Sequence, residues 1–558
     1  MLRKKTIVLG LISSLFACMV AQASTLLVGA NGYTLDASNK LQHFEAMAID
    51  DAGRVLATGS SAQLRKKYSN AKQIDVAGKT LLPGLIDAHG HIFGLGFAES
   101  QLSLRATNNL AEAQQAIAAY ALKYPKHQWI LGGEWNQEIW KLGRFPSAQE
   151  IDSVVADRPV WLRRVDGHAG WANSKAMQAA GITRATADPV GGKIDRDANG
   201  DATGVLVDEA MSLMDRVLPA QNDTERRAAL DAALNQMRQL GLTTAHDAGV
   251  TREADQLFRE YATQGKLTTR VYGMISGVDQ FFDAVSANGP LMSLADDKYA
   301  LRAVKLYSDG ALGSRGAALL QPYSDAPHTK GLLFSTDKEL QSMVTKAALK
   351  GYQVNVHAIG DAGNRQVIQS FAQLPPNANA SKLRHRIEHA QVLALADIPL
   401  VAKFNLIPSM QPTHATSDMN MAEDRVGKDR IKGAYAWRTF LKQGSRIACG
   451  SDFPIESPNP FWGIYAAVSR QDFAQKPEKG WHADQAMTVV EAFRCFTIDA
   501  AYAGHQEKFL GSLEKGKWAD FIIVDQDLFN MPVKDIYKMR VLQTWQAGRM
   551  VYKKNPDS

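Results

Sequence analysis

Downstream of Gly84 the chain alternates short apolar runs with runs of helical periodicity, and this alternation limits its fold more than any other feature. Apolar runs such as "LRAVKLYSDG" and "YQVNVHAIGD" are interleaved with helical runs such as "EADQLFREYATQG" and "KELQSMVTKAALKG". Repeated strand and helix units of this kind are typical of a parallel sheet with helical connections. About eight units fit this length, the number found in a closed barrel. The pattern therefore predicts an α/β protein built on a (β/α)8 barrel of the TIM type.

Three segments break the alternation. Residues 24–83 and 508–558 consist of short β-rich runs separated by turns, and their similar texture predicts that the two chain ends pair into one β-sandwich beside the barrel. Residues 131–217 contain aromatic and glycine-rich stretches such as "GGEWNQEIWKLGRFPS", which are expected to form a subdomain inserted between early barrel units. The barrel itself is assigned to residues 84–507.

The first 23 residues have the three parts of an export signal. A positive start, "MLRKK", precedes the apolar run "TIVLGLISSLFACMVA", and "AQA" before Ser24 is a small-x-small cleavage site. The apolar run is shorter than the roughly 20 residues of a spanning helix and no positive stop follows it, so stable membrane insertion is not expected. A periplasmic or secreted location follows. Lipid anchoring at Cys18 is the alternative, although Phe16 does not match the small residue usual there.

Cysteine content and charge limit the disulfide bonds and the binding partners that the chain can have. After cleavage the chain keeps Cys449 and Cys495, too few for a disulfide framework, although a single bond between them stays open. The formal charge is +6, of which Arg3, Lys4 and Lys5 contribute three, and the sequence has no polybasic run. Nucleic acid is therefore not an expected partner. A small-molecule substrate is expected, and a homo-oligomer stays an open alternative.

Six residues that can bind metal stand at or near the ends of predicted strands. Catalytic groups of a barrel lie at the carboxyl ends of its strands, so these side chains are expected to meet at one mouth. In "LIDAHGH" two histidines at i and i+2 project from the same face of a strand. Each of the six taken alone could be an ordinary core, ion-paired or helix-capping residue, but together they suit zinc or a similar divalent ion. They are His89, His91, Lys305, His357, His389 and Asp452.

The motifs around these residues resemble those of the amidohydrolase superfamily. They include "LPGLIDAHGH", "VKLYSDGALGSRGAAL", "VNVHAIGDAGNRQVI", "RIEHAQV" and "GSDFPIESPNPFWGIYAAVSR", and the resemblance covers nearly the whole mature chain. The sequence is similar in particular to the branch of N-substituted formamide deformylases and YtcJ-like hydrolases. This resemblance implies a metal-bearing (β/α)8 barrel, a composite β-sandwich from both chain ends, and metal ligands at all six residues.

The resemblance also implies roles for individual side chains. Lys305 would react with carbon dioxide to form a carbamate that bridges two metals, although some members of the superfamily hold one metal. Asp452 would be a ligand and also the catalytic group that accepts a proton from metal-activated water and passes it to the leaving nitrogen. His168, in "RVDGHAGWANSKA", would reach the site from the insertion to contact substrate. Trp135, in "GGEWNQEIW", is expected in the pocket wall or in local packing and is a second candidate for substrate contact.

These inferences predict an exported metal-dependent hydrolase of a carbon–nitrogen bond other than a peptide bond, in an amide, N-acyl or N-formyl group. A deaminase or a hydrolase of cyclic amides or esters is the alternative within the superfamily, because one metal site serves all of these reactions. A catalytically inactive barrel that binds a small molecule is the alternative from another class. It is disfavoured because all six expected ligand positions are filled.

Overall fold

The computed structural model describes residues 23–555. Within this range no helix is long and apolar enough to cross a membrane. The strands, in chain order, are β1 (Ala23–Val28), β2 (Asn31–Leu35), β3 (Leu41–Phe44), β4 (Ala46–Asp50), β5 (Val55–Gly59), β6 (Lys72–Asp75), β7 (Thr80–Pro83), β8 (Leu85–Gly90), β9 (Leu102–Ser103), β10 (Ile130–Trp135), β11 (Val160–Arg164), β12 (Ala169–Ala172), β13 (Gly192–Arg196), β14 (Ala202–Asp208), β15 (Leu242–Val250), β16 (Arg270–Ser276), β17 (Leu291–Leu294), β18 (Tyr299–Tyr307), β19 (Gln353–Ala358), β20 (Arg386–His389), β21 (Ile407–Met410), β22 (Ala448–Cys449), β23 (Phe521–Val524), β24 (Val541–Gln546) and β25 (Arg549–Lys553).

The helices lie mostly between the strands that begin with β8. The α-helices are α1 (Ser61–Lys67), α2 (Ile92–Ala98), α3 (Leu110–Lys123), α4 (Ala148–Asp152), α5 (Ser174–Ala179), α6 (Ser212–Asp215), α7 (Asp223–Gln239), α8 (Arg252–Thr263), α9 (Gln280–Val285), α10 (Asp337–Leu349), α11 (Asp361–Ala372), α12 (Ala380–Leu383), α13 (Ile398–Lys403), α14 (Pro412–Asp418), α15 (Ala422–Arg430), α16 (Trp437–Lys442), α17 (Pro460–Ser469), α18 (Val489–Cys495) and α19 (Ile498–Ala503). Short 3-10 helices lie at Glu209–Met211, Ser286–Asn288, Pro376–Ala378, Ile431–Gly433, Ala483–Gln485 and Val533–Lys538.

Eight parallel strands form a nearly closed barrel. Their order is β8, β15, β16, β18, β19, β20, β21 and β22, and β17 pairs antiparallel with β18. The end of the first strand, β8, meets the segment that follows the last strand, β22. There Gly90 and Phe453 form a parallel bridge, and the Asp452 N–H donates to His89 O at 2.7 Å. The predicted (β/α)8 barrel is therefore confirmed.

Burial explains why these segments become barrel strands and outer helices. All six residues of β8 and all six of β19 are buried, as expected for strands enclosed on both faces. In α8 the buried residues include Leu257, Phe258 and Tyr261, which recur at helical spacing and form one apolar stripe against the barrel. Thr251 begins this helix by accepting a hydrogen bond from the Ala254 N–H. The sequence of α8 therefore determines both that this helix packs against the outside of the barrel and where it begins.

Two further sheets contain both ends of the chain. One has the order β5, β4, β1, β6, and the other has the order β25, β24, β23, β7, β2, β3. Strand β7 pairs antiparallel with β23, which places Leu81 opposite Ile523. Side chains from both sheets share one core that includes Leu27, Ile49 and Trp545. The chain ends are thus joined in the composite arrangement that the sequence predicted.

A six-stranded sheet is inserted between the first two barrel strands, β8 and β15. Its order is β13, β14, β12, β11, β10, β9, and its core includes Trp135, Trp140 and Trp171. The sheet begins at Leu102, upstream of residue 131, where the sequence pattern placed the start of the insertion. Strand β9 and helix α3 lack the glycine-rich and aromatic composition of the later segment, and for that reason composition did not reveal them.

Two features predicted near the cysteines and the N-terminus have defined positions in the described chain. Cys449 and Cys495 form a disulfide with Cα atoms 5.0 Å apart, and it joins the eighth barrel strand to α18. Of the predicted signal segment, Ala23 alone is described, where it begins β1 and lies opposite Asp50. The rest of that segment, with Cys18, lies outside the described residues.

A buried ion pair fastens the barrel to the β-sandwich, and its loss should destabilise the protein. Arg270, at the start of β16, donates through Nε and Nη2 to the two carboxylate oxygens of Asp520 at 2.7 and 3.2 Å. Asp520→Ala leaves a guanidinium charge buried without its partner, so we expect the free energy of unfolding to fall by about 3–5 kcal/mol in chemical denaturation. Glu478→Ala removes the partner of Lys476 from a surface ion pair and should cost less than about 1 kcal/mol. Equal losses in the two variants would contradict the expectation.

Candidate metal centre and active site

The barrel brings all six predicted metal ligands to one mouth. Because the strands are parallel, their carboxyl ends open on the same face of the barrel. The six residues lie within or shortly after five strands, namely β8 (His89 and His91), β18 (Lys305), β19 (His357), β20 (His389) and β22 (Asp452). The mouth therefore carries four imidazoles, one amine and one carboxylate.

Three of the six form a compact cluster of possible ligand atoms. One atom each from His89, His389 and Asp452 lies within 4.8 Å of the other two, and all three residues are buried. His89 Nε2 is 3.5 Å from Asp452 Oδ1, and the centroids of the His89 and His389 rings are 4.8 Å apart. Imidazole nitrogen and carboxylate oxygen in such a set suit a divalent metal.

Hydrogen bonds behind the cluster orient its imidazoles. His89 contacts Glu388 through Nδ1, and His389 Nδ1 donates to Gln411 Oε1 at 2.8 Å, so both rings present an unprotonated Nε2 on the side away from these partners. Asp452 Oδ1 is buried, and it lies 3.5 Å from His89 Nε2 and 3.1 Å from His91 Nε2. A buried carboxylate oxygen beside two unprotonated ring nitrogens is an arrangement that a cation would satisfy. The residues present therefore fit a metal ion.

The other three predicted ligands border this cluster. His91 Nε2 is 3.1 Å from Asp452 Oδ1, and Lys305 Nζ donates to His89 Nε2 at 3.0 Å. The His357 ring lies 4.5 Å from that of His389 between centroids, but its Nε2 donates to Gly310 O at 3.3 Å. The structure thus places all six together, with three in the cluster and three beside it.

Burial sets the charges of the cluster. Burial and the neighbouring Lys305 ammonium lower the pKa of His89 to about 4, and burial also holds the pKa values of His357 and His389 well below their usual range. These imidazoles are therefore neutral, the form that binds metal. Burial lowers the pKa of Lys305 to about 8. Burial opposes the charge on Asp452, but the surrounding histidines hold its pKa well below the ordinary value, so the carboxylate is ionised.

A buried arginine–glutamate pair behind His89 was not found from the sequence. Glu388 contacts His89 Nδ1, and Arg386 Nη2 donates to Glu388 Oε2 at 3.0 Å. Burial would raise the pKa of Glu388, but Arg386 and His89 lower it to about 2. A carboxylate at this position fixes the proton on Nδ1 and leaves Nε2 as the atom with which His89 would hold a metal ion. The signal was present in "RIEH", because Arg386 and Glu388 at i and i+2 share one face of β20.

Loss of the Glu388 carboxylate should weaken metal binding per folded chain. We expect Glu388→Gln to lower metal affinity by about 10- to 100-fold in competition with a chelator, because a neutral amide no longer fixes the His89 tautomer. Glu507 offers a matched control, since it pairs with Arg384, which precedes β20 at the opposite end of the barrel. Glu507→Gln should keep the metal affinity, and an equal loss in both variants would argue against a role specific to Glu388.

A cavity of about 680 Å³ lies over the cluster, between the barrel and the inserted sheet. A smaller cavity of about 250 Å³ adjoins it, and the two share His168, His357, His389 and Asp452 in their walls. His414, at the start of α14, also lines the smaller cavity, with Nε2 3.8 Å from Asp452 Oδ2. Nothing in "MQPTHATSD" distinguished this histidine in the sequence.

The two residues predicted to contact substrate lie in different places. His168 reaches both cavities from the inserted sheet. Trp135 is fully buried in the core of that sheet, where its Nε1 donates to Leu162 O at 2.7 Å. It lines neither cavity, because a register shift between Gly133 and Trp135, where Glu134 has a φ of 65°, interrupts the alternation of β10 and turns the Trp135 side chain to the core. The structure therefore shows Trp135 in a packing role and does not place it in contact with either cavity.

The sequence from residue 72 to residue 552 matches the pattern of the amidohydrolase family. The chain belongs to the amidohydrolase family. This amidohydrolase is 33% identical over 521 residues to YtcJ of Bacillus subtilis strain 168, which is named an amidohydrolase; the alignment covers 92% of this chain and 96% of YtcJ. It is 27% identical to the N-substituted formamide deformylase of Arthrobacter pascens, over 96% of this chain and 99% of the deformylase.

A solved structure agrees with these sequence relationships. An uncharacterized metal-dependent hydrolase from Pyrococcus horikoshii superposes with a TM-score of 0.74 and 26% identity, covering 91% of this chain and 99% of the other. Family membership, the shared fold and the buried cluster of ligands together identify this amidohydrolase as a metal-dependent hydrolase. Its class acts on carbon–nitrogen bonds other than peptide bonds.

Proposed function

We propose that this amidohydrolase is an exported enzyme that hydrolyses an amide, as an N-acyl or N-formyl group, in a small molecule. The observation that carries the proposal is the buried cluster of His89, His389 and Asp452 at the floor of a cavity large enough for such a substrate. The similarity to a protein named N-substituted formamide deformylase supports the choice of bond.

The metal that we propose is zinc, as one or two ions. His89, His389 and Asp452 would hold it, and His91, His357 and a carboxylated Lys305 would complete the ligand set. A bound zinc ion supplies two kinds of chemistry, because it makes water a nucleophile near neutral pH and polarises a carbonyl group. Neutral imidazoles and an ionised carboxylate match the preferences of this ion.

The protein's own side chains would move the proton and hold the substrate. Asp452 is ionised, and it lies in the walls of both cavities, so its carboxylate can accept a proton from water. The same carboxylate then returns the proton to the nitrogen as the carbon–nitrogen bond breaks, which lets the amine leave uncharged. His168 lines the same cavity, with its ring centroid 5.0 Å from that of His357, and there its imidazole can contact the substrate carbonyl.

A hydrolysis screen of the zinc-loaded protein tests this function. N-formyl, N-acetyl and N-acyl-amino-acid compounds should release amine and carboxylate, and Asp452→Asn should abolish the release. Turnover of cyclic amides, esters or aminated heterocycles alone would favour the alternative reactions of the superfamily. If the protein binds zinc but turns over none of these compounds, the binding-barrel alternative replaces the proposal.

Export is the second part of the proposal, and two observations support it. The first 23 residues have the order of a signal peptide, and the disulfide between Cys449 and Cys495 is of a kind that persists in oxidising compartments. We expect mass spectrometry of protein from the cell envelope of the native host to show a chain that begins near Ser24. A chain that begins at Met1 would contradict cleavage, and a lipid on Cys18 would establish anchoring instead.

A further inference from the structure

We propose that Asp208, at the end of β14 in the inserted sheet, is a positioning residue that orients His168 towards the substrate. The inference rests on the proposed substrate contact by His168 and deepens it. It makes the inserted sheet part of the catalytic machinery, since both members of the pair come from that sheet and neither comes from the barrel.

The two residues hold each other by reciprocal hydrogen bonds. His168 Nδ1 lies 2.8 Å from Asp208 Oδ1, and the Asp208 N–H donates to His168 O at 3.0 Å. The Asp208 side chain is fully buried, whereas the His168 side chain is 18% exposed. With Nδ1 directed at the buried carboxylate, the imidazole presents its other nitrogen, Nε2, to the cavity. This is the arrangement by which a carboxylate fixes the tautomer and orientation of a histidine.

The backbone at Asp208 is held in an unfavourable conformation to make this contact. Its φ is 51° and its ψ is −125°, whereas residues other than glycine rarely take a positive φ. Such a conformation persists only where the surroundings impose it, and these residues concentrate at functional sites. The conformation turns the carboxylate inward, away from solvent and beneath the imidazole.

A loop of the barrel is shaped to receive the same carboxylate. A Cβ atom at Gly310 would lie 2.4 Å from Asp208 Oδ2, and one at Gly316 would lie 2.1 Å from it, so only glycine fits at either position. Asp208 Oδ2 is buried and has no hydrogen-bond partner among the described residues, so nothing polar in the loop competes with His168 for the carboxylate. The carbonyl of Gly310 accepts the hydrogen bond from His357 Nε2. Asp208 therefore lies between the inserted sheet and the loop that touches a predicted metal ligand.

Steady-state kinetics on the full-length, zinc-loaded protein test the proposal. Asp208→Asn should lower kcat by about 10- to 100-fold and change KM by less than about threefold, with bound zinc and thermal unfolding temperature unchanged. His168→Ala should remove the effect, so that the double variant Asp208→Asn/His168→Ala is no slower than His168→Ala alone. Asp195→Asn, which alters a contact to Thr203 in the same hairpin but outside the cavity, should keep the activity of the parent. Equal effects of Asp208→Asn with and without His168 would overturn the proposal.

A readout that needs no substrate separates this proposal from the proposed function. In protein with ¹⁵N-labelled histidine, the His168 signals are those that disappear in His168→Ala. We expect Nδ1 of His168 to carry a proton in the parent, and the proton to be shared between Nδ1 and Nε2 in Asp208→Ala. A parent with the proton on Nε2 alone would refute the orientation by Asp208 whether or not amides are hydrolysed. Correct ¹⁵N signals with no hydrolysis of any amide would refute the proposed function and leave the pairing in place.

Discussion

Replacing His89 with alanine should remove bound zinc and hydrolase activity together. His89 contacts Asp452 and Lys305 through Nε2 and Glu388 through Nδ1, so it joins the cluster to the buried charges behind it. Loss of a direct ligand should exceed the roughly 100-fold upper range expected for loss of a supporting carboxylate. Metal content per chain by mass spectrometry and hydrolysis of the best amide from the screen measure the two losses.

A second buried histidine provides the control. His385 precedes β20 at the opposite end of the barrel, where its Nδ1 accepts a hydrogen bond from the Val354 N–H and its ring stacks on Phe371. His385→Gln should lower stability, because it disturbs a buried contact, yet leave bound zinc per folded chain unchanged. His89→Ala protein with a full metal complement would show that His89 is not a ligand.

The barrel could be predicted because its evidence is local. Runs such as "YQVNVHA" and the amphipathic stripe of α8 each identify an element by its own period, and the parallel order follows from their alternation. The mouth could be predicted for the same reason, since the direction of the strands decides which end carries His89 or Asp452. A short sequence pattern is enough here, because the end of a strand at which a side chain stands decides the end of the barrel at which it lies.

The contacts that support these residues could not be predicted, because they join distant parts of the chain. Glu388 and His89 are 299 residues apart in the sequence, and nothing in either segment alone indicates that the two side chains meet. Trp135 shows the opposite error: an aromatic residue in a glycine-rich segment resembled a pocket wall, but its side of β10 faces the core. Which face of that strand enters the core depends on its pairing with other strands, so this segment alone could not decide it.

The insertion combines both difficulties. Its aromatic core was visible in the composition. Its first strand was not, because β9 pairs with β10, from which it is separated in sequence by a segment that includes α3. The start of the insertion at Leu102 therefore depends on a contact between separated segments. His168 and Asp208 are also separated in sequence, and they meet because β12 and β14 are neighbours in the inserted sheet. The order of the strands in an inserted sheet cannot be predicted from the sequence of any single strand.

Replacing Lys305 with alanine should abolish most of the activity and lower the bound zinc. Lys305 is 1% exposed and its Nζ lies 3.0 Å from His89 Nε2, so a permanent ammonium would repel a cation held by that ring. Burial lowers the pKa of this amine to about 8, which makes the neutral form accessible near neutral pH. The neutral amine can add carbon dioxide and release one proton, and the product is a carbamate whose oxygens can bind metal.

Short carboxylic acids such as acetate and propionate should restore part of the activity and metal of Lys305→Ala, because they can occupy the vacated space with a carboxylate. Lys298 is the matched control. It precedes β18 at the opposite end of the same strand, is partly buried, and burial lowers its pKa also to about 8. It contacts Leu267 O and Gln546 and no predicted ligand. Lys298→Ala should keep its zinc and activity and should show no response to added acids.

The deciding measurement for Lys305 is electron density in a crystal of the zinc-loaded protein. A carbamate is labile in acid, so denaturing mass spectrometry would lose it, whereas density beyond Nζ for a planar group of three further atoms would establish it. Removal of bicarbonate during metal loading should then lower zinc uptake by the parent and leave uptake by Lys305→Ala unchanged, because that variant has no amine to modify. Density that ends at Nζ in a fully active, fully metallated enzyme would show that Lys305 acts as an amine, and the ligand set would then be the four histidines and Asp452.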